Sequence, residues 1–219
     1  MFTINQRSCL STNPNEAHWT ALKNLLQYLK GSINIYLEYT KSDSSNQFSQ
    51  LAGWANADYA NACDSRRSVS GNAILFFNNP IIWLSKQQSV VAQYTTESKY
   101  ISMNICAKQL RWLTYVLTDL HLSIAEPTLY NDNSGAIIIS KQASLNANTK
   151  HITVRYKYVR DCVMKKLLNV NQVGSNQMIA DILTKPLGVQ KVNTACNQFH
   201  LVDPGAVSDI RINADKTIS

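Results

Sequence analysis

Four carboxylates stand at element boundaries in otherwise apolar or neutral surroundings: Asp58 in ANADYA, Glu97 in YTTESKY, Asp132 in YNDNSG and Asp181 in IADILTK. Singly, each has a plain structural reading. Glu97 falls in the first turn of an expected helix, where any acid suits the dipole, and Asp132 could cap the helix that follows it. Gathered into one cleft, the four would repel one another unless cations neutralised them. Hard oxygen ligands of this kind favour Mg²⁺ or Mn²⁺ over zinc. No Gly-x-Ser-x-Gly nucleophile turn and no P-loop accompanies them, so a serine hydrolase or a P-loop nucleotide site is poorly supported. Asp64, Asp119, Glu126 and Asp161 read as turn, helix-end or solvated charges.

The elements that must position these acids follow from the apolar rhythm. A helix is expected from about Pro14 to Lys30, capped by Asn13, with Glu16 in the capping box and Gly31 as its stop. Its apolar stripe is Ala17, Ala21, Leu22, Leu25, Leu26 and Leu29. INIYLEYT alternates as a strand, and the polar run KSDSSNQFSQ reads as a linker. Beyond it, LAGWANADYA is a strand ending at Asp58. GNAILFF and IIWLSKQ are two strands of a hairpin around Asn-Asn-Pro. A long helix spans about Thr95 to Leu120. A short strand, PTLYND, leads into the helix SGAIIISKQA; a helix over HITVRYKYVRDCVMKKL, a strand in LLNVNQV and a helix over NQMIADILTK follow. This order predicts an α/β fold, a mixed sheet with helices packed on it rather than a repeating barrel.

Composition sets the bounds. The 219 residues suffice for one well-buried domain with appendages, and 45% apolar with 16% charged residues is an ordinary globular balance. The net charge of +7 favours a polyanionic partner. Five scattered cysteines without a CxxC pair give no zinc site or disulfide framework and suit a reducing, intracellular setting. No stretch is long and apolar enough for a signal peptide or a membrane span, so no membrane partner is expected.

Taken together and in order, several stretches resemble one family. SVSGNAILFFNNPIIWLSKQQSVVAQYTTESKY resembles a run in which a serine-glycine strand, an I-x-W-x-S-K-x-Q strand and a Glu-bearing helix follow one another. TKHITVRYKYVRD and QMIADILTKPL resemble the segments that close the same domain. The family is the ribonuclease H domain of copia-type long-terminal-repeat retrotransposons, and the likeness runs from about Leu51 to Leu187. Upstream, NPNEAHWTALKNLLQYLKG resembles the end of the same polyprotein's reverse transcriptase, although the polymerase's aspartate motif is absent. The resemblance divides the chain into a thumb or connection remnant (1–46), a ribonuclease H domain (47–188) and a C-terminal helix and tail (189–219).

The resemblance implies a central five-stranded mixed sheet and hydrolysis of the RNA strand of RNA–DNA hybrids during reverse transcription. It matches Asp58, Glu97, Asp132 and Asp181 to the family's four metal-binding acids, holding two Mg²⁺ ions, or Mn²⁺, at the scissile phosphate. Lys86, Gln87, Lys150 and His151 are the candidate substrate contacts. Trp83 shares that strand end, but its plainer reading is core, and for His151 a structural hydrogen bond is the plainer one. Arg66, Arg67, Lys165 and Lys166 add charge and read as a solvated face. The implied partners are the hybrid and the polymerase portion of the same Pol polyprotein, in a cytoplasmic virus-like particle or the nucleus. Some positions depart from the family pattern. Asn72 replaces an aromatic residue, and Lys99 stands where the family usually has a second Glu. Because a helix turns roughly 200° over two residues, Lys99 is expected to face away from Glu97 and the metals. An inactive nucleic-acid-binding module and a decayed fragment are the alternative readings.

Overall fold

A computed structural model describes residues 2–8, 11, 13–41, 50–60, 66–142 and 150–204, with the backbone alone at 5–7 and 150–156. Its centre is a five-stranded mixed sheet built from β2 (Leu51–Asp58), β3 (Val69–Phe76), β4 (Asn79–Gln87), β5 (Thr128–Asn131) and β6 (Asn169–Gln172), in the order β4-β3-β2-β5-β6. The fold class expected from the sequence is therefore present. β2 runs antiparallel to β3, from Leu51↔Phe76 to Asp58↔Val69, and parallel to β5. As the middle strand it is covered on both faces, and seven of its eight residues are buried.

The two faces are read by alternate residues. Leu51, Ala55, Ile74 and Leu129 pack with α3 (Thr95–Asp119), α4 (Ser134–Lys141) and α5 (Lys150–Met164). Ala52, Trp54, Ala73, Leu75 and Tyr130 face the other way, onto a 3-10 turn (Ile179–Leu183) and Phe199, which follows α6 (Val189–Gln198). Trp54 stacks on Tyr130 with ring centroids 5.0 Å apart. Two glycines allow the layers to approach. A Cβ at Gly53 would stand 2.7 Å from Cys106 Sγ on α3, and one at Gly71 would stand 2.8 Å from the Ala180 carbonyl oxygen. Asn72 is fully buried, its carboxamide 2.7 Å from Ser102 Oγ, so a polar pair fills the place expected to hold an aromatic ring.

Several expectations shift by a residue or two. The β3–β4 turn is Phe77–Asn78, with φ of 46° and 65°, rather than Asn-Asn-Pro. Pro80 lies inside β4, tolerated because β4 is an edge strand. The helix expected from Pro14 is α2 (Glu16–Gly31), and its cap is Asn15, not Asn13. His18, not Glu16, closes the capping box, accepting from the Asn15 N–H through Nδ1. No residue of α2 is buried, and Trp19, Leu22, Leu26 and Leu29 are exposed. A short helix not expected from the sequence, α1 (Phe2–Ser8), precedes it.

INIYLEYT pairs only over β1 (Tyr36–Leu37), because its partner β7 (Leu201–Val202) is equally short. The following residues dock on the sheet edge. Tyr39 Oη donates to the Pro80 carbonyl (3.0 Å), and the Thr40 N–H donates to Asn79 Oδ1 (2.9 Å). NQMIADILTK forms two 3-10 turns, Ser175–Gln177 and Ile179–Leu183, in place of one helix. Among the described residues no helix is long and apolar enough to cross a membrane.

Candidate active site

Three of the four acids meet at one end of the sheet, each delivered by a different device. Asp58 is the last residue of β2, and the register runs Asp58↔Val69↔Gln87 across three strands. Asp132 follows β5 directly, between two asparagines that fix the turn. Asn131 is fully buried and donates from Nδ2 to the Ala55 carbonyl of β2 (2.7 Å), while its Oδ1 accepts from the Asn133 N–H (2.8 Å). Asn133 Oδ1 accepts from the Ala136 N–H (2.8 Å), so Asn133 caps α4, the role open to Asp132 on sequence grounds. Asp181 lies in the 3-10 turn above β3, where the missing side chain of Gly71 lets the turn settle. From β2, Asn56 Nδ2 donates to Asp181 Oδ1, and Lys185 Nζ stands 3.4 Å from Asp181 Oδ2.

The electrostatics join these groups into one centre. Burial raises the Asp58 pKa above the ordinary carboxylate value of 3.8, with the Asp181 carboxylate adding to the rise. The ammonium groups of Lys185 and Lys99 act against it. Two acids from distant parts of the chain thus feel each other, and two lysines compensate them.

Glu97 and Lys99 divide the first turn of α3 in an unexpected way. Glu97 is 9% exposed, and its Oε2 accepts from the Gln93 N–H at 2.7 Å. Tyr59 Oη, just past β2, donates to the Gln93 carbonyl (2.9 Å). Glu97 therefore secures the loop before α3. Lys99 does not face away from the acids: its Nζ lies 2.5 Å from Asp132 Oδ1 and 2.6 Å from Oδ2. The physical reason is the length of the lysine stem, which carries Nζ to the carboxylate just past β5. The two side chains are only 13% and 17% exposed.

Carboxylate oxygens are the right donors for Mg²⁺ or Mn²⁺, but their placement does not fit a pair of such ions. Among the described residues, no group of three or more His, Cys, Asp or Glu side chains is arranged to hold a metal ion. Lys99 covers both oxygens of Asp132, Asn56 and Lys185 engage Asp181, and Glu97 is turned to a backbone N–H. As arranged, ammonium groups supply the countercharge.

The candidate substrate contacts separate. Lys86 and Gln87 end β4, paired with Ser70 and Val69, so they stand on the Asp58 side of the sheet, and Lys86 is exposed. Trp83 is 37% exposed on the same edge strand rather than core. Lys150 and His151 begin α5, and their side chains lie outside the described residues. Arg66 and Arg67 are exposed, as are Lys165 and Lys166. Sequence reasoning did not single out Asn56, and it left Lys185 unremarked. Asn56 carries a signal of its own kind, a polar residue inside a strand that is otherwise apolar up to its terminal acid.

No family model matches the chain. Over 173 residues, 79% of its length, it is 38% identical to the retrovirus-related Pol polyprotein from transposon TNT 1-94 of Nicotiana tabacum. The retrovirus-related Pol polyprotein from transposon RE2 of Arabidopsis thaliana is 31% identical over 187 residues, 85% of the chain. The chain spans 13% of the length of each. Among solved structures, LC11-RNase H1 isolated from compost shows a distant likeness, with a TM-score of 0.45 and 11% identity over 62% of this chain and 93% of that one. On its relatives, the chain belongs to the retrovirus-related Pol polyproteins of copia-type transposons and spans a small part of their length.

Proposed function

We propose that this chain acts on RNA–DNA hybrids as the ribonuclease H-type domain of a copia-type Pol polyprotein. The observation that carries the reading is the convergence of Asp58, Asp132 and Asp181 on one end of the sheet, from a strand terminus, a pinned turn and a 3-10 turn. Lys86 stands at the same end on a solvent-facing edge, suited to a phosphate backbone, and the net charge of +7 favours a polyanion. Discrimination of hybrid from DNA duplex would draw on the 2′-hydroxyls of the RNA strand. The reaction of this class is hydrolysis of the RNA strand to a 3′-hydroxyl and a 5′-phosphate.

A second reading, hybrid held without being cut, is favoured by the Lys99–Asp132 ion pair, which occupies an acid the hydrolytic chemistry would need free. One experiment separates them. A hybrid labelled on both strands is incubated with the purified chain in Mg²⁺, in Mn²⁺ and in chelator. Metal-dependent loss of the RNA strand alone supports the hydrolytic form, and retained hybrid without cleavage supports the binding form. Failure to bind hybrid under any condition overturns both.

A further inference from the structure

We propose that Lys99 is the resident cation of the acid centre, its ammonium standing on Asp132 where a divalent ion would otherwise bind, so that this chain excludes the metal. The proposal rests on the reading that the acid centre is the hybrid-facing site.

Three observations carry it. First, the geometry is two-pronged: one Nζ reaches both oxygens of Asp132, at 2.5 and 2.6 Å, so a metal at either oxygen would stand against the ammonium charge. Second, the pair is largely shielded, with side chains 13% and 17% exposed. Separating them would leave an ammonium and a carboxylate each poorly solvated, so a competing ion must offset that cost as well as its own dehydration. Third, among the described residues the ion pair at Asp132 is made by Lys99, while Glu97 Oε2 accepts from the Gln93 N–H. Position 99 is thus a place on α3 from which a side chain enters the centre. A lysine there in place of a glutamate, the residue the resembling family usually carries, changes the local charge by two and turns a donor of oxygen into a donor of protons.

The consequence is chemical as well as electrostatic. An ammonium can neutralise Asp132 and donate hydrogen bonds, but it has no coordination sphere in which to activate a water. Lys99 thereby neutralises Asp132 without supplying the chemistry of a metal.

The test is direct Mn²⁺ binding, read from the paramagnetic resonance signal of free Mn²⁺ as the full chain is titrated, for wild type and Lys99→Glu. The expected result is no saturable site in wild type up to about 1 mM and a saturable site in K99E at least tenfold tighter, the order expected when the local charge falls by two. Saturable binding by wild type within threefold of K99E overturns the proposal. Should K99E lack a cooperative thermal transition, Lys99→Gln replaces it, since it frees Asp132 without adding charge. K99Q binding Mn²⁺ more tightly than wild type supports the proposal, and equal affinity overturns it. Hybrid binding is measured separately in chelator by fluorescence anisotropy. A chain that binds no hybrid there overturns the functional reading, while the Mn²⁺ titration still decides the role of Lys99.

Discussion

Asn56 in the central strand donates a hydrogen bond from Nδ2 to the carboxylate of Asp181, tying β2 to a turn 125 residues further along the chain. Both residues are buried, at 2% and 7% exposure. Asn56→Ala is expected to lower stability by about 1.5–3 kcal/mol, the range for a lost hydrogen bond to a charged group whose partner stays buried. A shifted urea midpoint at unchanged slope is the signature to look for; an unshifted midpoint would show that Asp181 finds another partner.

Gly71 sits where a Cβ would meet the Ala180 carbonyl at 2.8 Å and the Leu183 Cβ at 2.9 Å. Its substitution by alanine should push the 3-10 turn away from β3 and cost about 1–3 kcal/mol, as overpacking does. Chemical denaturation measures the loss. Because the turn carries Asp181, hybrid affinity should fall with it.

Asp58 gives a pH dependence with a definite sign. Its folded pKa lies above the ordinary value of 3.8, chiefly through burial, so the folded chain holds that proton more tightly than the unfolded one. The ionised form therefore opposes folding at neutral pH. That penalty fades as the pH falls through the raised folded value and is gone below the unfolded one. Asp58→Asn is expected to raise Tm at pH 7, with the advantage shrinking as the pH falls toward the ordinary carboxylate value. A Tm difference that does not vary with pH would show that the carboxylate is not the cause.

Lys86, exposed at the end of β4, is expected to contact phosphate. Lys86→Ala should weaken hybrid binding and reduce the slope of log affinity against log salt by about 1. An unchanged slope would place the nucleic acid on another face.

Much of this arrangement was legible in the sequence, and the exceptions are instructive. Asp58 ends β2 and Asp132 directly follows β5, elements whose apolar pattern is plain, so their boundary positions followed from it. The direction of Lys99 did not follow. A helical projection places the Cβ of position 99 but not the end of its four-carbon stem, which carries Nζ to Asp132. The cap of α2 moved from Asn13 to Asn15 because both asparagines satisfy the same local rule, and the contact with His18 decides between them. INIYLEYT has the alternation of a full strand, but a strand extends only as far as its partner, and β7 offers two residues. NQMIADILTK has helical composition, yet it folds as two 3-10 turns, the second against the bare backbone of Gly71.

The most direct measurement compares binding of an RNA–DNA hybrid and a DNA duplex of the same sequence to the intact chain, by fluorescence anisotropy in chelator at fixed salt. The expected result is at least tenfold tighter binding of the hybrid, about 1.4 kcal/mol, with Lys86→Ala weakening both duplexes and keeping the preference. Equal affinity for the two duplexes would contradict hybrid recognition and leave only nonspecific attraction between a basic chain and a polyanion.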